Sequence, residues 1–148
     1  MNAIKVISVN ISEKKGVIKN PVDEIKITEK GVENDAHAGD WHRQVSLLAK
    51  ESIEKFEAVL GRKLAYGEFA ENITTEGITL YTMKPGDKLN IGNVELEVTQ
   101  IGKKCHGDGC AIFSQVGRCV MPKEGIFAKV IKTGSIKPGH EIIYTPQM

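Results

Sequence analysis

Apolar and polar residues alternate along most of this chain, with one interruption. In AIKVISVNI (3–11), Ile4, Val6 and Ser8 fall on one face and Lys5, Ile7 and Val9 on the other, which predicts a strand buried over much of both faces. DEIKIT (23–28) predicts a short second strand and RQVSLLA (43–49) a third. The period then changes. In KESIEKFEAVLGRKL (50–64), Ile53, Phe56, Val59 and Leu60 recur at helical spacing, which predicts a helix over about residues 50–60. Gly61 stands where a left-handed C′ residue belongs, and Arg62 and Lys63 suit the negative end of the helix dipole. Alternation resumes in KPGDKLNIGNVELEVTQI (84–101), where Pro85-Gly86 predicts a turn and Gly92-Asn93 a two-residue hairpin between strands. GIFAKVIKTG (125–134) and KPGHEIIY (137–144) predict the last strands.

Seven or eight short strands, Gly-rich turns and one main helix predict a mainly β fold, a β-barrel or closed sandwich with short helical turns besides the helix. KPGDKLNI (84–91) and KPGHEIIY (137–144) share a turn-then-strand grammar, which predicts two similar corners in one β structure rather than a repeat protein. The chain has 148 residues and no linker or low-complexity segment, so a single domain over 1–148 is expected.

Composition narrows the partners. The net charge is +1 and the lysines are scattered, which argues against nucleic acid or an anionic membrane as main partner. No apolar stretch has the length to span a bilayer. The N-terminal residues alternate and then turn polar, unlike a signal peptide, so a cytoplasmic protein is expected. Three cysteines, an odd number set close together, argue in a reducing compartment for reactive or metal-binding thiols over a disulfide framework.

Three segments hold residues able to carry chemistry. In GVENDAHAGDWHRQVSL (31–47), Asp35, His37, Asp40, His42 and Arg43 cluster between two strands. Asp35 and His37 are two apart and on an extended stretch would share a side, where a carboxylate sets the tautomer of an imidazole and raises its pKa. Arg43 could clamp an anion; a polar loop with Asx-type turns explains the same residues, and Trp41 there suits a surface-to-core anchor. In GEFAENITTEGI (67–78), Glu71 and Asn72 lie among apolar neighbours, and the Asn amide serves either a ligand or the fixing of a loop, the structural role being favoured. In GKKCHGDGC (102–110), Gly102, Gly107 and Gly109 permit tight turns, and Lys103 and Lys104 before Cys105 favour its thiolate. Cys105, Cys110 and Cys119 offer at most three sulfurs for a zinc that normally wants four ligands in close pairs, and C-x4-C is not the usual redox spacing. Cys119, in the apolar context RCVM, suits a buried structural cysteine.

GVENDAHAG, RQVSLLAKESIE, GEFAENITTEGI, KPGDKLNIG, LEVTQIGKKC and GIFAKVIKTGSIKPGHEI occur in the order seen in MOSC domains, the family named for the C-terminal domain of molybdenum cofactor sulfurases. The resemblance covers nearly the whole chain and is to the small bacterial branch. It implies a β-barrel-like fold and a role in binding, sulfurating or using molybdenum cofactor (molybdopterin). It places the family's shared cysteine at Cys105, its Asp-x-His element at Asp35 and His37, and its Glu-Asn element at Glu71 and Asn72. Cys110 and Cys119 are not part of the family pattern. A chain of this length has no room for the pyridoxal-phosphate desulfurase domain of the larger sulfurases, so no pyridoxal phosphate is expected. The extra N-terminal β domain of the larger reductases has no counterpart here, so an independent reductase activity is not expected.

The resemblance and the residue chemistry together lead to Cys105 as the working thiol, ligating molybdenum or carrying sulfur as a persulfide. Asp35 orients His37 as proton donor; Arg43, Lys103, Lys104 and the backbone at Gly102 meet the pterin phosphate, and Glu71 and Asn72 complete the cofactor site. This makes the chain a sulfurtransferase or a component of a molybdenum-dependent oxidoreductase, with a cysteine desulfurase or a cofactor-biosynthesis enzyme as partner. Two alternatives stay open: a non-catalytic cofactor carrier for a partner enzyme, and a structural zinc-binding β domain.

Overall fold

The structure, a computed structural model, describes residues 4–13, 18–36, 38–41, 44–61, 63–69, 71–101 and 125–146, without the side chains of Val59 and Leu60. Along these residues run β1 (Lys5–Ile11), β2 (Asn20–Val22), β3 (Ile25–Thr28), β4 (Gly31–Val32), β5 (Val45–Ala49), α1 (Lys50–Leu60), β6 (Ile73–Glu76), β7 (Lys88–Ile91), β8 (Val94–Ile101), β9 (Ile126–Lys132), β10 (Gly134–Ile136) and β11 (Ile142–Thr145). One short 3-10 turn covers Leu80–Thr82. The fold is mainly β with one main helix, as the periodicity predicts, and α1 occupies the expected residues.

Eight strands form a mixed sheet in the order β11-β7-β8-β9-β5-β6-β1-β2, and β10, β3 and β4 form a small antiparallel one. Among the described strands only β5 and β6 pair in parallel, because α1 and the residues after it carry the chain back across the sheet between them. The barrel expected from the strand count is only loosely one. Both ends of the large sheet approach each other at a single bridge, Lys5 with Glu141, flanked by Val6 N–H to the His140 carbonyl at 2.9 Å and Ile142 N–H to the Ile4 carbonyl at 2.8 Å. The other half of β1's free edge is taken by β2, paired from Val9 to Ile11, so no full ladder closes the sheet. The small sheet shares the same core, contributing Ile25, Ile27, Val32 and Ile136 beside Val45, Leu47, Ile73, Leu89, Leu96 and Val98 of the large one.

β1 departs from the simple alternation predicted for it. Its register with β6 shifts between Val6 and Ser8, a bulge that brings both Val6 and Val9 into the main core. Ser8 and Asn10 then face another layer, where Ser8 Oγ donates to Asn10 Oδ1 at 2.7 Å. This second layer lies under α1, which packs on β5 and β6. Leu48, Ile53 and Phe69 are buried there, and Phe56 meets Phe69 edge-on with ring centroids 5.7 Å apart. β5 is therefore buried on both faces along its whole length.

The turn chemistry follows the sequence. Gly61 takes φ 72° and its N–H closes α1 on the Glu57 carbonyl at 2.8 Å. Gly92 takes φ 59° between paired Ile91 and Val94, and among the described residues Asn34 is the one non-glycine with positive φ, so only the first turn residue is left-handed, as a II′ hairpin requires. The two Lys-Pro-Gly corners match. The Asp87 and His140 N–H groups return to the carbonyls of Lys84 and Lys137 at 3.0 and 3.2 Å, with φ 100° at Gly86 and 96° at Gly139. In each corner the fourth side chain accepts from the lysine N–H, Asp87 Oδ2 at 2.9 Å and His140 Nδ1 at 3.3 Å. The strands that follow, β7 and β11, pair with each other, and the Tyr144 hydroxyl donates to Asp87 Oδ2 at 2.6 Å. Among the described residues no helix is long and apolar enough to cross a membrane.

Candidate functional site

Of the residues assigned to the cofactor site, Asp35, Glu71 and Asn72 are described. His37, Arg43, Gly102, Lys103, Lys104 and Cys105 lie outside the described residues, as do His42, Cys110 and Cys119. The three that are described come from two segments, 31–47 and 67–78, and are tied to the end of β1, Asp35 through Ser12 and Glu71 and Asn72 through Asn10.

Asp35 does not sit on an extended stretch. Its N–H reaches back to the Val32 carbonyl and its own carbonyl accepts from Ala38 N–H, both at 3.2 Å, so Asp35 itself is held in turns, while His37 lies outside the described residues. The turn is held from β1: Ser12 N–H donates to Asp35 Oδ1 at 3.0 Å and Ala36 N–H to the Ser12 carbonyl at 2.8 Å. The Lys19 ammonium lies 2.8 Å from the same oxygen and 3.2 Å from Ser12 Oγ, and both charged side chains are completely buried. Two buried charges persist only when they are paired and hydrogen-bonded in this way.

Asn72 ties three strands. Its Oδ1 accepts from Ser46 N–H at 3.0 Å and Ser46 Oγ at 3.1 Å, and its Nδ2 donates to the Asn10 carbonyl at 3.2 Å. Asn10 answers with its N–H to the Asn72 carbonyl at 2.7 Å and its side-chain amide to the Glu71 carbonyl at 3.0 Å. Glu71 is completely enclosed. Its carboxylate accepts from Gly67 N–H at 2.9 Å, Phe69 N–H at 3.2 Å and Thr74 Oγ1 at 2.8 Å. Burial pushes this carboxyl up to about 7, against the pull of those donors toward the ionised form. Glu71 and Asn72 thus direct their polar atoms at protein groups, the loop-fixing role that the sequence favoured for Asn72.

The backbone also relates these residues to the cysteine segment. Ile101 pairs with Ile126, Ile126 with Leu47, and Leu47 with Ile73, one row across four strands. Ser46 and Asn72 are the next residues on one side of that row. That is the side β8 comes from, since Phe127 pairs with both Ser46 and Gln100, so β8 runs from Gln100 to Ile101 toward the other end of β5 and β6.

Sequence reasoning missed Asn10, Ser12, Lys19 and Ser46. Asn10 and Ser46 left a signal, polar residues inside strands otherwise apolar on both faces. Lys19, before a Pro turn, left none among the scattered lysines. Elsewhere, a groove of about 600 Å³ lies over β3 and β10 beside Lys26, Lys30 and Glu33, and none of the predicted site residues lines it. Among the described residues no group of three or more His, Cys, Asp or Glu side chains could hold a metal ion.

The chain belongs to the MOSC domain family, whose model matches residues 34–143. The family is associated with molybdenum cofactor sulfurase-type function. Its fold is shared with the YuaD protein from Bacillus subtilis (TM-score 0.79, 17% identity, 99% of this chain and 98% of that one). It is shared also with YiiM from Geobacillus stearothermophilus (0.74, 23%, 95% and 74%) and YiiM from Escherichia coli (0.73, 19%, 100% and 72%). Among curated proteins no sequence matches the chain.

Proposed function

We propose that this chain binds molybdenum cofactor and uses Cys105 as a sulfur-carrying or metal-ligating thiol. What carries the reading is the match to the MOSC family model over residues 34–143, a span that takes in Asp35, His37, Glu71, Asn72 and Cys105.

The donor set fits such a cofactor. A thiolate is a soft ligand suited to molybdenum, and Arg43, Lys103 and Lys104 offer cations for a phosphate. Bound cofactor would supply a metal centre able to take or exchange sulfur. Asp35, Glu71 and Asn72 act from beneath: they fix the turn at residues 32–36 and the segment that leads into β6. In the carrier role, Cys105 Sγ attacks the terminal sulfur of a desulfurase persulfide. A new S–S bond forms, the donor cysteine leaves as thiolate, and no net electrons are exchanged.

Reconstitution tests the reading. Wild-type chain is expected to retain molybdenum cofactor through gel filtration and to accept labelled sulfur from a cysteine desulfurase, and Cys105→Ala to lose sulfur loading and retain less cofactor. If Cys105→Ala matches wild type in both, Cys105 has no such role.

A further inference from the structure

Lys19 occupies a position that neither motif explains. Its ammonium is completely buried against Asp35 and Ser12. Its backbone N–H donates to the Gly67 carbonyl at 2.9 Å, and Gly67 N–H in turn donates to Glu71 Oε2 at 2.9 Å. The approach is tight: a Cβ on Gly67 would lie 2.3 Å from the Lys19 carbonyl oxygen. One residue therefore touches the Asp35 turn with its side chain and the Gly67–Glu71 turn with its backbone.

We propose that Lys19 is a positioning residue, locking the Asp35 turn and the Glu71–Asn72 segment into a single unit. An apolar pair of similar volume would stabilise the interior at least as well as a buried ion pair, so what the Lys19–Asp35 pair adds is direction. Asp35 Oδ1 is held by both the Lys19 ammonium and Ser12 N–H, which fixes the carboxylate rather than merely neutralising it. Ser12 follows two residues after Asn10, whose amide holds the Glu71 carbonyl and whose carbonyl holds Asn72. The loop of contacts closes: Asp35 to Lys19, Lys19 to Gly67, Gly67 to Glu71, Glu71 to Asn10, and along β1 to Ser12 and Asp35 again. A side chain that orients the groups behind a binding site affects affinity without touching the ligand.

The assignment of this unit to a cofactor site rests on the function proposed above, and the experiment separates the two. The full chain is compared with Lys19→Met/Asp35→Asn, which removes both charges together and leaves neither buried alone. The double variant is expected to fold and yet to bind molybdenum cofactor about tenfold more weakly, with amide hydrogen exchange at Gly67 and Phe69 about tenfold faster. Affinity and exchange both within about twofold of wild type would show that the pair only fills space, and overturn the proposal. Faster exchange with unchanged affinity would overturn its link to the site. Should the double variant fail to fold, native-state exchange on the wild-type chain decides: Ser12, Lys19, Gly67 and Phe69 amides are expected to open with one common free energy, and independent opening overturns the unit. If wild-type chain itself binds no molybdenum cofactor, the functional reading falls, and the exchange arm alone still decides whether Lys19 joins the two segments.

Discussion

Ser46 and Asn72 grip each other at the start of the parallel β5–β6 pair: Ser46 N–H and Oγ both donate to Asn72 Oδ1, and Asn72 N–H lies 2.9 Å from the Ser46 carbonyl and 3.0 Å from Ser46 Oγ. Parallel strands have no hairpin to set their register, so side-chain contacts at the entry must help to do so. Asn72→Ala would remove the acceptor of Ser46 N–H and Oγ and the amide donor to the Asn10 carbonyl in a completely buried place. The expected cost is about 2–4 kcal/mol, read as a lowered urea midpoint with little change in slope. Asn72→Asp keeps the acceptor for Ser46 but turns a second oxygen toward the Asn10 carbonyl, and is expected to be no better than Ala at neutral pH. An Asn72→Asp protein as stable as wild type would show that the amide's donor side contributes nothing.

The framework of this fold was legible where one interaction dominates locally. The apolar period marked α1, Gly61 its end, and Gly92-Asn93 the hairpin, because each depends on neighbouring residues and on backbone conformation that glycine alone adopts easily. The Lys-Pro-Gly echo marked two corners whose strands turn out to be partners. What was not legible arises across the chain. The bulge in β1 depends on its pairing with β6, so alternation alone sorted its faces wrongly after Val6. Lys19 gains its meaning from Asp35 and Gly67, which lie 16 and 48 residues away in the numbering, and a lysine before a turn reads as solvated until those partners are known. β2 and β4 have only 3 and 2 residues, too short for a period to register.

Glu71 carries a pH signature. Burial raises its carboxyl from 4.5 to about 7 in the folded chain. Between those values the folded state holds a proton that the unfolded state has released, so this group's stabilisation is fully present below pH 4.5 and is lost as pH rises through about 7. The difference corresponds to about 3 kcal/mol before allowance for relaxation of the turn. Glu71→Gln removes the titration but leaves one of the donors from Gly67, Phe69 or Thr74 facing an amide, so it is expected to be less stable than wild type at low pH and to show a flatter profile between pH 5 and 8. Denaturant unfolding at several pH values for both proteins measures this. Parallel profiles would place the titration elsewhere.

Gly67 and Gly61 are both left-handed, with φ 88° and 72°, and they separate backbone strain from steric exclusion. Alanine at Gly61 meets nothing within 4 Å, so Gly61→Ala should cost only the conformational penalty, about 1–2 kcal/mol. Alanine at Gly67 carries the same penalty and also drives its Cβ into the Lys19 carbonyl at 2.3 Å and against Asn10 Cβ at 3.1 Å. Backbone cannot give way as a flexible side chain does, and the displaced residue is the one that anchors Asp35. Gly67→Ala is therefore expected to lose more than about 3 kcal/mol, or to yield no soluble folded chain, while Gly61→Ala folds normally. Thermal unfolding of the pair compares them directly. Equal midpoints would mean that residues 63–69 can shift away from β1 without cost, and the tight Lys19–Gly67 approach would then be no constraint on the site.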